Sequence, residues 1–262
     1  MVNNFVIDHV LRGIMTKKNG EYMWSINQIT NPSLNVALSD TAQAVDALGT
    51  VIQEFDRGRS AEFGAENSIF DLSLYAAQMG RDVEVNTKIA VPAFETIDVK
   101  GGSAETYKLK KVPTEETKDI KKIYVLNGDG TLGKAFDVDT AASGEKFAYD
   151  NTTYTISLPT GLKEGTQLFV MYEYDSEKAT AVTANAIDFP KAGKFVLEVL
   201  GTSVCDPDTL IHAYVVFDNA KLDGNVDFTF ATDGTHPFTI RAMQNYCDKE
   251  KKLFSIIIPE EE

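Results

Sequence analysis

Two cysteines, Cys205 and Cys247, are all that the 262 residues contain. Two thiols are too few for the disulfide framework of a small secreted scaffold or for a cysteine cage around zinc. Both stand beside expected strand ends, which points to buried or half-buried thiols. Histidine is almost as scarce: His9, His212 and His236 fall on different segments, and none has a second His or Cys at ligand spacing, so no metal ligand is assigned. No run approaches the roughly 18 apolar residues of a membrane-spanning helix. The opening MVNNFVIDHVLRGIM lacks the charged start, unbroken apolar stretch and small-residue cleavage site of a signal peptide. The expectation is a chain made and kept in a cytosol, with no membrane partner. A basic surplus is missing too: 25 Lys and Arg face 39 Asp and Glu, a net charge of −14. Gripping nucleic acid by phosphate neutralisation needs a basic stripe. The dense basic runs at 108–111 and 121–123 are diluted by Glu115, Glu116 and Asp119.

Catalytic groupings are also wanting. No nucleophile-elbow pattern or oxyanion-type glycine run accompanies the Ser, His and Asp residues. The many acids guarantee coincidental carboxylate pairs, so spacing alone marks none as a glycosidase pair. No catalytic or cofactor-binding residue is assigned, and the chain reads as a non-enzyme.

What the sequence has is β-structure. FVLEVLG (195–201), IHAYVVFD (211–218), VDFTFA (226–231), PFTIRAM (237–243) and LFSIIIP (253–259) read as a meander of strands cut by turn signals. In the third of these elements Val226, Phe228 and Phe230 alternate with Asp227 and Thr229, as a half-buried strand requires. Nearer the N-terminus, strands are expected at 21–29, 33–38, 50–56 and 60–66. One helix follows, 68–79, with Asn67 or Ser68 as N-cap, Gly80 as stop, and Ile69, Leu72, Tyr75, Ala76 and Met79 as its packing stripe. Residues 39–50, SDTAQAVDALGT, read as a loop that is unusually apolar.

The segment 99–185 changes character. Rich in Lys, Thr, Asp and Glu, it carries strands at 121–127, 146–150, 153–158 and 167–175, with Asp150 and Asn151 as a hairpin signal. It reads as an inserted, immunoglobulin-like β-sandwich, which divides the chain into 1–98, 99–185 and 186–262. Within it, NGDGT (127–131) looks like the start of a calcium loop, but Val138 stands where the twelfth-position acid belongs, so a tight hairpin turn is expected.

The order of SLNVAL (33–38), the loop 39–50, VIQEFDRGRSAEFGAEN (51–67), the helix SIFDLSLYAAQMG (68–80) and KLDGNVDFTFATDGTHPFTIRAM (221–243) resembles the tail-tube, or major tail, proteins of bacteriophages and the tubes of contractile injection machines. The resemblance covers the first and third blocks. It implies a mainly β fold, a tail-tube-type β-sandwich or barrel with one flanking helix, and a virion tail protein made in the host bacterial cytoplasm. It further implies hexameric rings stacked into a hollow tube, with tape measure, tail terminator and baseplate proteins as partners and DNA passing through the lumen without specific binding. Glu54, Asp56, Glu62 and Glu66 are the candidate lumen-lining residues. Glu62, Gly64 and Glu66 alternate with Ala61, Phe63 and Ala65, the pattern of a wet face above a dry core; an ordinary outer surface fits the same pattern. Val45 and Leu48 are the candidate inter-ring contact, although a loop that covers its own core would show the same residues. An alternative function is a carbohydrate-binding virion or cell-surface β protein, with Tyr149, Tyr154, Tyr172 and Tyr174 as stacking residues.

Overall fold

A computed structural model describes residues 4–101, 105–116, 118–246 and 249–259. The chain is mainly β with a single helix among the described residues. Contacts divide it into two compact units, residues 1–83 with 181–262, and residues 84–180.

The first unit contains β1 (Phe5–Thr16), β2 (Tyr22–Ile26), β3 (Ile29–Val45), β4 (Val51–Asn67) and α1 (Leu72–Gln78). The second is built from β5 (Glu84–Asp98), β6 (Thr106–Lys108), β7 (Lys122–Leu126), β8 (Leu132–Asp139), β9 (Lys146–Asp150), β10 (Thr155–Ser157) and β11 (Gln167–Ala181). The chain then returns to the first unit with β12 (Ala192–Ser203), β13 (Asp206–Leu222), β14 (His236–Ala242) and β15 (Ser255–Ile257).

In the first unit the strands lie in the order β2-β1-β12-β13-β14-β4-β3, with β15 also on β13. The apolar sides of these strands meet in one core, where Met15, Trp24, Phe63, Phe195, Phe217, Phe238 and Ile240 are buried together with Leu74 of the helix. The two ends of the order, β2 and β3, are consecutive in sequence, yet among the described residues no ladder joins them. The sheet is open and leaves two free edges. At Gly201 of β12 an added Cβ would stand 2.2 Å from the Val6 carbonyl oxygen, so only glycine lets β1 approach this closely.

The helix is shorter than the apolar spacing predicts. Its N-cap is Asp71, whose carboxylate accepts from the amides of Ser73 and Leu74 at 2.8 and 2.9 Å. Ile69 and Phe70 therefore lie before the helix and are half exposed, and the buried residues are Leu74, Ala76 and Gln78. Gly80 ends it as expected. Its φ of +72° lets Gly80 N–H reach Ala77 O and Arg81 N–H reach Ala76 O, the paired bonds that close a helix C-terminus.

The second unit is a seven-stranded sheet, β5-β11-β7-β8-β9-β10-β6, in which β8 and β9 run parallel while β7 is antiparallel to β11 and β8, and β10 to β9 and β6. It has its own core of Ile97, Ile123, Phe136, Phe147, Ile156, Leu168 and Val170. Its two end strands are linked by side chains. The buried Glu95 of β5 accepts from Tyr107 Oη of β6 at 2.7 Å, from the Lys110 amide at 3.0 Å and from Tyr172 Oη. Burial, with the Glu95 bond second, pushes the Tyr107 phenol up to about 12. The 127–131 segment is the expected tight turn: Asn127 N–H donates to Thr131 O, and Asp129 is occupied by the Thr131 amide and hydroxyl.

Two expected features are absent from the described residues. Residues 226–231 form no strand, and Phe230 is 90% exposed. Their alternation is real but no neighbouring strand takes them up, because β14 pairs with β13 and β4 instead. Cys205 is exposed rather than buried, since it sits in the turn between β12 and β13, and Cys247 lies outside the described residues. Among the described residues no helix is long and apolar enough to cross a membrane.

Candidate functional site

The feature that stands out is the β3–β4 hairpin, two strands of 17 residues each. Residues 39–45, expected in a loop, are strand. Thr41, Ala42, Gln43 and Ala44 pair with Asp56, Phe55, Glu54 and Gln53, and Val45 with Val51. Only 46–50 turn. Asp46 Oδ1 accepts from the amides of Leu48 and Thr50 at 2.9 and 2.8 Å, and Gly49 takes a φ of +82°. Alanine and aspartate favour strands poorly, and it is pairing with VIQEF that holds them extended.

At the base of the hairpin the two faces separate cleanly. Ala61, Phe63 and Ala65 are buried in the core, while Glu62, Gly64 and Glu66 point outward. The ladder continues the outward face sideways. Glu62 stands between Asn35 of β3 and Arg241 of β14, and Arg241 stands beside Lys221 of β13. Glu66 pairs with Pro237 on one side and Thr30 on the other.

Arg241 organises this face. Its Nε lies 3.3 Å from Glu62 Oε1 and its Nη2 lies 2.6 Å from Asp223 Oδ2. The face is therefore of mixed charge, two cations among three acids, and not the uniformly acidic wall that the net charge suggests. Lys221 and Arg241 were missed because the strand pattern of PFTIRAM gives no sign of which partner strand lies beside it.

Glu54 and Asp56 do not share a face with Glu62 and Glu66. Between Leu38 and Thr41 each strand carries one extra residue, in β3 after Leu38 and in β4 before Gly58. One extra residue exchanges the two faces of a strand with period two, and because both strands carry one the whole distal hairpin turns over. Thr41, Gln43, Glu54 and Asp56 thus follow on from Leu38 and Phe63, while Ala42, Ala44 and Phe55 follow on from Glu62. The distal part is exposed on both faces; Gln43 Nε2 donates to Glu54 Oε2 at 3.3 Å. Alternation in a single strand could not reveal the exchange, because a paired bulge appears only in the ladder.

Val45 and Leu48 lie together at the hairpin end. Leu48 is 91% exposed, and Val45, Val51, Ile52 and Phe55 around it are about half or more exposed. At the opposite end of β4, Asn67 pairs with His236, and the chain leads through Ile69 and Phe70 into the helix.

The tyrosines considered for sugar stacking do not form an exposed platform. Tyr172 is buried, and Tyr149, Tyr154 and Tyr174 pack against the core of the second unit. Among the described residues no three His, Cys, Asp or Glu side chains converge in a way that could hold a metal ion.

A family model described as the YomU/Tube protein family matches residues 5–256 of the chain. No curated protein matches it.

Proposed function

Because the chain belongs to the YomU/Tube protein family, we propose that it is a structural protein of a phage tail tube, in which six copies join into a ring and rings stack around a hollow lumen that conducts DNA. The observation that carries this reading is the bare outer edge of β3. It ends the strand order, runs for 17 residues, and contains a single charged residue, Asp40, and a single proline, Pro32. Proteins that remain monomeric blunt such edges with short strands, charges or covering segments. Joining β3 of one copy to the free β2 edge of the next satisfies the backbone of both, and repetition around an axis closes the ring.

The outward face of β3, β4 and β14 then becomes the lumen wall, with Glu62 and Glu66 on it. Its chemistry suits passage of a polyanion. Glu62 and Asp223 occupy the Arg241 guanidinium, so the cation is not left to grip phosphate, and the acids discourage close approach. The distal hairpin with Val45 and Leu48 reaches beyond its own ring as the axial contact. The virion tail is the location that follows, with tape measure, terminator and baseplate proteins as neighbours.

Sedimentation velocity of the purified chain tests the reading. Growth through a six-copy species into long particles is expected as concentration rises; a lone 28.8 kDa species at every concentration contradicts it.

A further inference from the structure

Stacked rings of one protein need two different surfaces that meet along the axis. Resting on the tube reading above, we propose that the recess framed by Ile69, Phe70, Phe228 and Phe230 is the acceptor for the β3–β4 hairpin tip of a second copy in the adjoining ring.

The recess lies at the base of β4, and its open volume is about 550 Å³. Phe228 packs on Phe70 at 5.3 Å between ring centroids and on Phe230 at 4.8 Å, edge to face. Phe230 is 90% exposed, Phe70 50% and Ile69 55%. Exposing this much aromatic surface together is unfavourable in water. The floor is fixed: the buried His236 ring stacks on Phe70 at 5.3 Å with planes 12° apart, and its Nε2 donates to Gln78 Oε1 at 2.8 Å. A rigid floor under exposed rings is what an acceptor requires, since little ordering entropy is lost on docking.

The occupant is argued from the same chain. The tip carries Leu48, Val45, Val51 and Ile52, and its one nearby carboxylate, Asp46, is already held by the Leu48 and Thr50 amides. It therefore presents an apolar knob whose one carboxylate is turned to its own backbone amides. Knob and recess stand at opposite ends of β4, and 17 residues at about 3.3 Å each separate them by roughly 50 Å. A contact between two different patches at opposite ends of one molecule is head to tail, and it propagates as a filament instead of closing as a pair.

The area involved points the same way. The exposed side chains of knob and recess together offer on the order of 800 Å² of apolar surface, below the roughly 1,200 Å² of a stable two-body complex. Single copies do not hold together through it, whereas a ring presents the contact several times at once and gains the avidity. A second copy within a ring, rather than an unrelated partner, is the occupant for which so small a patch suffices.

The test uses the full chain, Phe230→Asp and Leu48→Asp, each checked for folding by circular dichroism and followed by negative-stain microscopy. Both side chains are exposed, so both variants fold. Each alone forms rings that do not stack. Mixed after ring formation, the intact tips of the first variant dock into the intact recesses of the second and growth stops at two rings. Parental filaments alongside unimpaired Phe230→Asp filaments overturn the acceptor and leave the tube reading standing. Failure of the parent chain itself to assemble overturns both.

Discussion

His236 shows how a single residue carries a pH dependence that its place in the sequence conceals. Its Nδ1 faces the Asp71 amide at 3.4 Å and its Nε2 donates to Gln78, whose own amide donates to the Pro237 carbonyl at 3.0 Å. This arrangement accepts only the neutral ring, because a second proton would point at an N–H. Burial accordingly lowers the pKa from its ordinary 6.5, partly offset by the Asp71 carboxylate. The unfolded chain then binds more protons than the folded one below about pH 6.5. Stability is complete above that pH and is lost as pH falls through it, by up to about 1.4 kcal/mol per pH unit until the folded ring itself titrates. Urea unfolding at pH 7.5 and pH 5.5 checks this: the midpoint should drop at the lower pH, and a His236→Gln chain should lose most of the drop. In the sequence His236 was only a histidine without a ligand partner. Gln78 and Asp71 are far from it along the chain, and nothing in local spacing announces that a helix brings them together.

At the scale of the element, the hairpin was half legible. Phe63 between Glu62 and Gly64 announces its own faces, because period-two alternation against a core is a local property. In the distal half, 50–56 reads as a strand but 39–50 reads as a loop, though an unusually apolar one, and the strand character of 39–45 comes from pairing with that partner strand. The paired bulges that turn its faces over are a property of two strands together. Helix α1 shows the same division. Its Gly80 stop is a matter of one residue's φ, whereas its start depends on which side chain actually reaches the amides, and that is Asp71 rather than the expected Asn67 or Ser68. If Val45 and Leu48 dock on the next ring, replacing both with Asp buries carboxylates without partners, at a cost of several kcal/mol per contact. Thermal unfolding of the double variant should match the parent, because both positions are exposed, and filament growth should fail. Filaments of parental length would remove the hairpin from the axial contact.

For the whole molecule, the mainly β character and the net acidity were plain from composition and pattern. The local charge of the face that carries Glu62 and Glu66 was not. It depends on Arg241 arriving beside Glu62, and Lys221 beside Arg241, from strands distant in sequence. That balance sharpens the lumen prediction. Changing Glu62 and Glu66 to Lys removes one of the two acidic partners of Arg241, leaves Asp223, and turns a mixed face cationic. Tubes of this variant should retain DNA at low salt and release it as salt rises, through loss of the counterion-release gain. DNA behaviour equal to the parent in intact tubes would place the two acids on an outer wall. The most direct measurement for the account as a whole is a helical reconstruction of the assembled protein by electron cryo-microscopy. It should show a hollow tube of six-copy rings, with the Glu62 face toward the axis. The axial repeat should be about 40 Å, the roughly 50 Å length of β4 inclined at the usual barrel tilt of about 35–45°. A solid filament, or a tube with Glu62 on its outer surface, would contradict it.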